Sequence, residues 1–141
     1  MKDLRTVTHA QFKDEIGLQG VPTEHIAFTC PRCGTVQSAM SLIRAGAGTT
    51  YEAVQGQVGF SCVGRYTGAG AHKNGNPPGH GCNWTLGGIF PIYNYVVDTG
   101  TAEAPQPHPL FEPATPAEAK ALMDTNAVLG YVEGKPVFKG D

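Results

Sequence analysis

Charge is scarce in this sequence. Asp, Glu, Lys and Arg together make up 16% of its 141 residues, against about 25% in an average globular chain. The net charge of −2, with Phe, Tyr and Trp spread along the chain, excludes the highly charged, aromatic-poor composition of a disordered segment. Long apolar runs are missing too: no stretch approaches the roughly 18 residues that mark a membrane helix. No apolar segment follows Lys2, Asp3 and Arg5, so no secretory signal is expected. A protein of a reducing, intracellular compartment follows as the expectation, where paired cysteines more often hold metal or do redox work than form disulfides.

Glycine and proline are abundant instead. Nineteen glycines and eleven prolines exclude a coiled coil and a helical bundle, and without a triplet period they exclude collagen. Apolar residues, at 40%, suffice for a core, and a chain of this length buries roughly two-thirds of its unfolded surface. One domain with a small appended lobe is therefore expected.

Local signals divide the chain. Thr8-His9-Ala10-Gln11 has the form of a capping box, opening a helix over 9–16 that Gly17 ends. Alternation over 24–29 predicts a strand leading into Cys30, and 38–45 predicts a helix that buries Met40, Leu42 and Ile43. Thr49 and Glu52 suggest a second capping box, and 58–62 reads as a strand. Residues 64–81 contain six glycines and Pro77-Pro78, which predicts a long loop. Strands are expected over 83–86 and 89–98. Three prolines in 99–109 mark a linker or extended crossing segment, and Phe111-Glu112 suggests one more short strand. Thr115, Pro116 and Glu118 then open a helix to about Asp124. Residues flanking Glu133-Gly134-Lys135-Pro136 read as a terminal hairpin or tail.

The fold class this predicts is α+β: a small antiparallel sheet around a four-cysteine zinc site, with short flanking helices and a long Gly-rich loop. Residues 1–98 would form the zinc-ribbon-like domain. Residues 99–141 would supply a linker, an acidic helix and the terminal hairpin or tail, packed on the same domain.

Four cysteines carry the chemistry. In Cys30-Pro31-Arg32-Cys33-Gly34 two thiolates three positions apart can share one tetrahedral ion if the turn is tight, and Pro31 fixes one backbone angle of it. Gly34 allows the positive φ that turns backbone amides toward sulfur. Nineteen residues lie between Cys62 and Cys82, but two strand ends joined by a loop can lie side by side and complete the site. Four sulfurs favour zinc over oxygen-loving metals, and bound zinc contributes directly to folding. Other uses of these cysteines stand beside it. A disulfide framework needs an oxidising compartment. A thioredoxin-like CxxC needs a βαβ pattern. An iron–sulfur cluster takes the same four thiolates. His80, two residues before Cys82, could replace one cysteine as ligand. His9, His25 and His108 have no carboxylate or serine partner in sequence, so no catalytic triad can be argued.

The glycine-rich stretch lacks the GK[ST] ending of a phosphate-binding loop. Arg65, Tyr66, His72, Lys73 and His80 are instead its candidates for contact with a partner, since loops on rigid scaffolds commonly carry binding. Charge is unevenly spread. Between Cys30 and Cys82, Arg32, Arg44, Arg65 and Lys73 face only Glu52. Between Asp98 and Glu133, six acids face Lys120 alone. The positive excess in the first segment is far below that of a dedicated nucleic-acid binder, so a protein partner is favoured.

Taken together, Cys30-Pro31-Arg32-Cys33-Gly34-Thr35-Val36-Gln37-Ser38, the run from Val58 through Cys62 to Gly70, and Gly81-Cys82-Asn83-Trp84-Thr85-Leu86 resemble an uncharacterised family of small phage and prophage proteins. Phe111-Glu112-Pro113-Ala114-Thr115-Pro116 is similar to that family's C-terminal signature. The resemblance covers about 24–120 and implies a phage-encoded protein of the bacterial host cytoplasm, with no activity attached. The CPxCG motif with a later cysteine pair is also similar to zinc ribbons, whose work is contacting nucleic acid or protein; a ribbon, however, has a second tight CxxC. The function expected is that of a zinc-stabilised binding protein acting on a host or phage macromolecule, without a membrane. An inhibitor of a bacterial defence system, anti-CRISPR-like in action, is one alternative. An enzyme, either a thiol–disulfide oxidoreductase or a zinc hydrolase, is the alternative of another class.

Overall fold

The computed structural model describes residues 4–71, 81–86 and 93–139. Strand β1 (Arg5–Thr8) runs directly into helix α1 (His9–Gly17) because Thr8 is at once the last strand residue and the N-cap. The Thr8 hydroxyl accepts from the Gln11 amide at 3.1 Å, and the Gln11 side chain accepts from the Thr8 amide at 2.9 Å. The expected capping box is therefore formed, satisfying two of the helix's otherwise unpaired donors. After α1 a single 3-10 turn (Thr23–His25) precedes β2 (Phe28–Thr29). This corrects the strand expected over 24–29: the Thr23 carbonyl accepts from Ile26, so the first half of the segment closes on itself.

A tight turn after β2 brings the chain back as β3 (Val36–Gln37), antiparallel to it, and β6 (Glu112–Pro113) pairs on the other side of β2. The second sheet has the order β1-β4-β5, with β4 being Tyr95–Asp98 and β5 Pro107–Pro109. Its β1–β4 pair is parallel, with Thr6 opposite Val96. The protein is thus α+β with mixed pairing rather than purely antiparallel. Parallel pairing joins segments about 90 residues apart here, and no local pattern announces it. Of the strand expected over 89–98, residues 95–98 form β4 and 93–94 are not in a strand; residues 89–92 lie outside those described. The proline-rich crossing segment supplies β5.

Helix α2 (Ala39–Arg44) is capped by Ser38, whose hydroxyl accepts from the Ser41 amide, and it buries Ala39, Met40 and Leu42. Helix α3 (Tyr51–Val54) begins one residue later than the expected box, since Thr50 rather than Thr49 accepts from Ala53. Residues 58–62 do not form the expected strand. The Gln57 carbonyl accepts from both Phe60 and Ser61, and Gly59 packs against Leu110: a Cβ there would stand 2.6 Å from Leu110 Cδ1, so that side chain would have to shift. Only Ser61 pairs, in a single bridge to Thr85, which is all that 83–86 contributes to a strand. The stretch beginning at residue 64 opens with a helical turn, α4 (Gly64–Thr67), ended by Gly68 in the left-handed conformation.

Helix α5 (Pro116–Thr125) has its box between Thr115 and Glu118 and Pro116 in the first turn. It buries Ala119 while Leu122 and Met123 are half-covered. The hairpin of β7 (Val128–Val132) and β8 (Lys135–Phe138) turns through Glu133 and Gly134, both at positive φ (51° and 79°). That is the conformation of a two-residue type I′ hairpin turn.

The main core gathers Phe28, Leu42, Val54, Phe111 and all four cysteines. Phe111 is fully buried and stacks on Trp84 at 5.8 Å, and burial of such a ring stabilises the fold by about 1.5–3 kcal/mol. Gln19, wholly buried just after α1, ties the chain to a smaller cluster of Ala27, Ala114 and Ala119. Its amide donates to the carbonyls of Ala27 and Ala114, and its oxygen accepts from the Ala27 amide. Among the described residues no helix is long and apolar enough to cross a membrane.

Candidate metal centre

Cys30 and Cys33 stand on the turn between β2 and β3. The Cys30 amide donates to the Thr35 carbonyl and the Gly34 amide to the Cys30 carbonyl, each at 2.9 Å. Gly34 has φ 76°, which closes the turn without a Cβ penalty. Cys62 lies between the Ser61 bridge and α4. Its carbonyl accepts from Arg65 at 3.1 Å and its amide donates to the Trp84 carbonyl at 3.0 Å. Cys82 sits opposite. Gly64 and Gly81 let these two segments meet: a Cβ on Gly64 would stand 2.3 Å from the Cys82 nitrogen, and Gly81 takes φ 89°.

These placements bring all four sulfur atoms within 4.8 Å of one another. Cys30 Sγ is 3.8 Å from Cys82 Sγ, and Cys33 Sγ is 3.6 Å from Cys62 Sγ. A tetrahedral ion with metal–sulfur bonds of about 2.3 Å has sulfur–sulfur edges of about 3.8 Å. Disulfide sulfurs are about 2.05 Å apart, and all four cysteines are free thiols. All four are buried, and the donor set is entirely sulfur. The arrangement can hold a metal ion of soft preference and suits calcium or magnesium poorly.

Hydrogen bonds surround the sulfurs. The Cys82 amide donates to Cys62 Sγ at 3.3 Å, the Trp84 amide to Cys82 Sγ at 3.5 Å, and Thr35 Oγ1 lies 3.0 Å from Cys33 Sγ. Four thiols so close share their protons unequally. Hydrogen bonding from Cys30, with help from Cys62 and Cys82, draws Cys33 well below an ordinary thiol. Cys62 is lowered to about 7, chiefly by Cys30. Cys30 is pushed up by its bond to Cys33 first, then by those to Cys62 and Cys82. Cys82 is also raised, the lowering from Cys30 being outweighed by Cys33 and Cys62 together. A divalent cation would replace the shared protons and let all four ionise.

The family model for VVA0879-like proteins matches residues 8–114. The chain belongs to the VVA0879-like family. The stretch matched to the VVA0879-like model runs from the N-cap of α1 past β6, takes in all four cysteines, and leaves α5 and the hairpin outside. No curated protein and no solved structure matches the chain.

Of the partner-contact candidates in this VVA0879-like protein, Arg65 is exposed and donates to the Asn83 carbonyl at 2.9 Å. Tyr66 is half-buried and packs against the cysteine-bearing core. His72, Lys73 and His80 lie outside the described residues, and with them the idea that His80 replaces a cysteine.

Two residues at the site escaped sequence reasoning. Thr35 and Gln37 are buried, and nothing in their own composition or spacing marks them, since a polar side chain is recognised as a core residue only through its partners. Gln37 donates to the carbonyls of Val58 and Ser61, both at 2.8 Å, and accepts from the Val63 amide at 2.6 Å.

Proposed function

We propose that this chain is a zinc-stabilised binding protein, encoded by a phage or prophage, that acts in the bacterial cytoplasm through a macromolecular partner. The four-sulfur cluster with its roughly tetrahedral edges carries the proposal. Cys30, Cys33, Cys62 and Cys82 would fill every position of a zinc ion, as in a zinc ribbon, and closed sites are structural. A hydrolase needs a coordination position for water, and four protein sulfurs leave none. A thiol–disulfide oxidoreductase needs one accessible thiolate, whereas here each sulfur is buried among three others.

The resemblance of the three cysteine motifs to phage and prophage proteins supports the origin. The stretch 64–81, held at both ends by ligand-bearing segments, supports a contact role for Arg65, Tyr66, His72, Lys73 and His80. A protein partner fits the small positive excess around the cysteines better than a nucleic acid does.

Elemental analysis of purified protein tests the first half: one equivalent of zinc per chain is expected. Iron with visible colour, or a substoichiometric metal, would replace the zinc assignment. Affinity capture from phage-infected lysate tests the second, with an Arg65→Ala, Lys73→Ala variant as control. Loss of one captured host protein in the variant is the expected result, and a captured defence effector would make the chain an inhibitor. Binding to DNA or RNA that weakens steeply with salt would shift the partner to nucleic acid.

A further inference from the structure

A zinc ribbon holds each pair of its ligands on its own tight turn. Here only Cys30 and Cys33 have one, and the placement of Cys62 and Cys82 needs another cause. The structure offers it in the two polar side chains that follow the CPRCG turn.

Thr35 and Gln37 are two residues apart, so their side chains leave the same face of the strand. Each reaches a different distal ligand segment. Gln37 places both its N–H donors and its carbonyl oxygen on the backbone around Cys62: Val58 and Ser61 before it and Val63 after it. Thr35 accepts from the Gly81 amide at 2.9 Å, one residue before Cys82, while its hydroxyl lies 3.0 Å from Cys33 Sγ. Because the Gly81 N–H occupies one lone pair of that oxygen, the hydroxyl proton is available to a Cys33 thiolate. One oxygen thus joins the first turn to the fourth ligand.

We infer that Thr35 and Gln37 act as a polar clamp that sets Cys82 and Cys62 against the Cys30–Cys33 turn, in place of the missing second CxxC. The inference rests on the metal reading above. Both are positioning residues: neither touches the ion, and each acts through a ligand. Thr35 also acts on the bond itself, since a hydroxyl hydrogen bond to a thiolate lowers its electron donation and slows its protonation and loss.

The experiment compares Thr35→Val, which keeps the shape but removes the hydroxyl, with Thr35→Ser, which keeps the hydroxyl. Wild type is first loaded with one equivalent of zinc; if it takes none, the metal reading fails and the clamp is not at issue. Each protein is then given a chromophoric chelator, and the rate of zinc transfer is read alongside the sulfur-to-metal charge-transfer band of the cobalt(II) form. Thr35→Val should release zinc about 10- to 100-fold faster and shift the cobalt band, with Thr35→Ser restoring both. Gln37→Leu should likewise speed release. If Thr35→Val matches wild type in rate and spectrum, the clamp is wrong. It is equally wrong if serine is as damaging as valine, because the hydroxyl would then not be what matters. Should Thr35→Val not fold while Thr35→Ser behaves as wild type, the hydroxyl is still identified as the cause.

Discussion

The cysteine-bearing core and the C-terminal hairpin are organised on opposite principles. In the core the decisive groups are buried and polar, and their partners come from distant parts of the chain: Thr35 with Gly81, Gln37 with Val63. In the hairpin the geometry is local. A two-residue turn sets the pairing of β7 and β8, and Leu129, Tyr131 and Val132 stay 71%, 70% and 63% exposed. Its link to the rest passes through Phe138, which is buried with the Arg44 guanidinium 5.2 Å above its ring. The contrast teaches that the two regions fail differently: the core fails as a unit, the hairpin by degrees.

Metal removal should separate them most sharply. Structural zinc supplies about 10–16 kcal/mol of apparent binding energy in small zinc peptides at neutral pH, comparable to the whole stability of a domain, about 5–15 kcal/mol. Cys62→Ser, or a strong chelator, should therefore abolish the cooperative thermal transition. A Cys62→Ser protein that keeps its zinc and its melting temperature would undo the four-ligand site. Acid should have the same effect, because protons compete with the metal for thiolates, and zinc release should track falling pH.

Next in size is Gly64→Ala. The new methyl would overlap the Cys82 backbone, so we expect a loss of about 3 kcal/mol together with weaker metal binding, read by denaturant titration at fixed zinc. Gln19→Leu comes third. It leaves the Ala27 amide and the Ala114 carbonyl without their Gln19 partner, while the Ala27 carbonyl keeps the Ala114 amide; the cost should be about 2–3 kcal/mol, but metal transfer to a chelator should keep its wild-type rate. Smallest is Glu133→Asn in the hairpin. Glutamate is held at φ 51°, a conformation asparagine tolerates better, so this variant should gain about 0.5 kcal/mol. Its effect should add to that of Gly64→Ala, because independent sites do not couple.

How much of this could be read beforehand follows the same division. Helix starts were legible at Thr8 and Thr115, because a cap acts within four residues and its signal is printed there. The four cysteines could be grouped because thiols in such numbers have few other uses in a reducing setting. What stayed hidden depends on remote partners. Nothing near Arg5 or Tyr95 says that their strands run parallel. The apolar residues at 58–62 suggested a strand, but packing of Leu110 against Gly59 and the Gln57 turn decided otherwise. Thr35 and Gln37 carried no signal because a buried polar residue is recognised only by what it bonds to.

The near contact of Gly64 with Gly81 has one more consequence. A Cβ built on Gly81 would lie 3.3 Å from the Gly64 Cα, so the segments that carry Cys62 and Cys82 touch backbone to backbone. Joining two points already in contact makes the length of the join a weak variable, since doubling a loop costs only about 0.6 kcal/mol of closure entropy. Residues inserted between Ala71 and Gly81 should therefore leave the four cysteines in place, whereas Arg65 and Tyr66, one bonded to Asn83 and the other packed on the core, belong to the part that must stay.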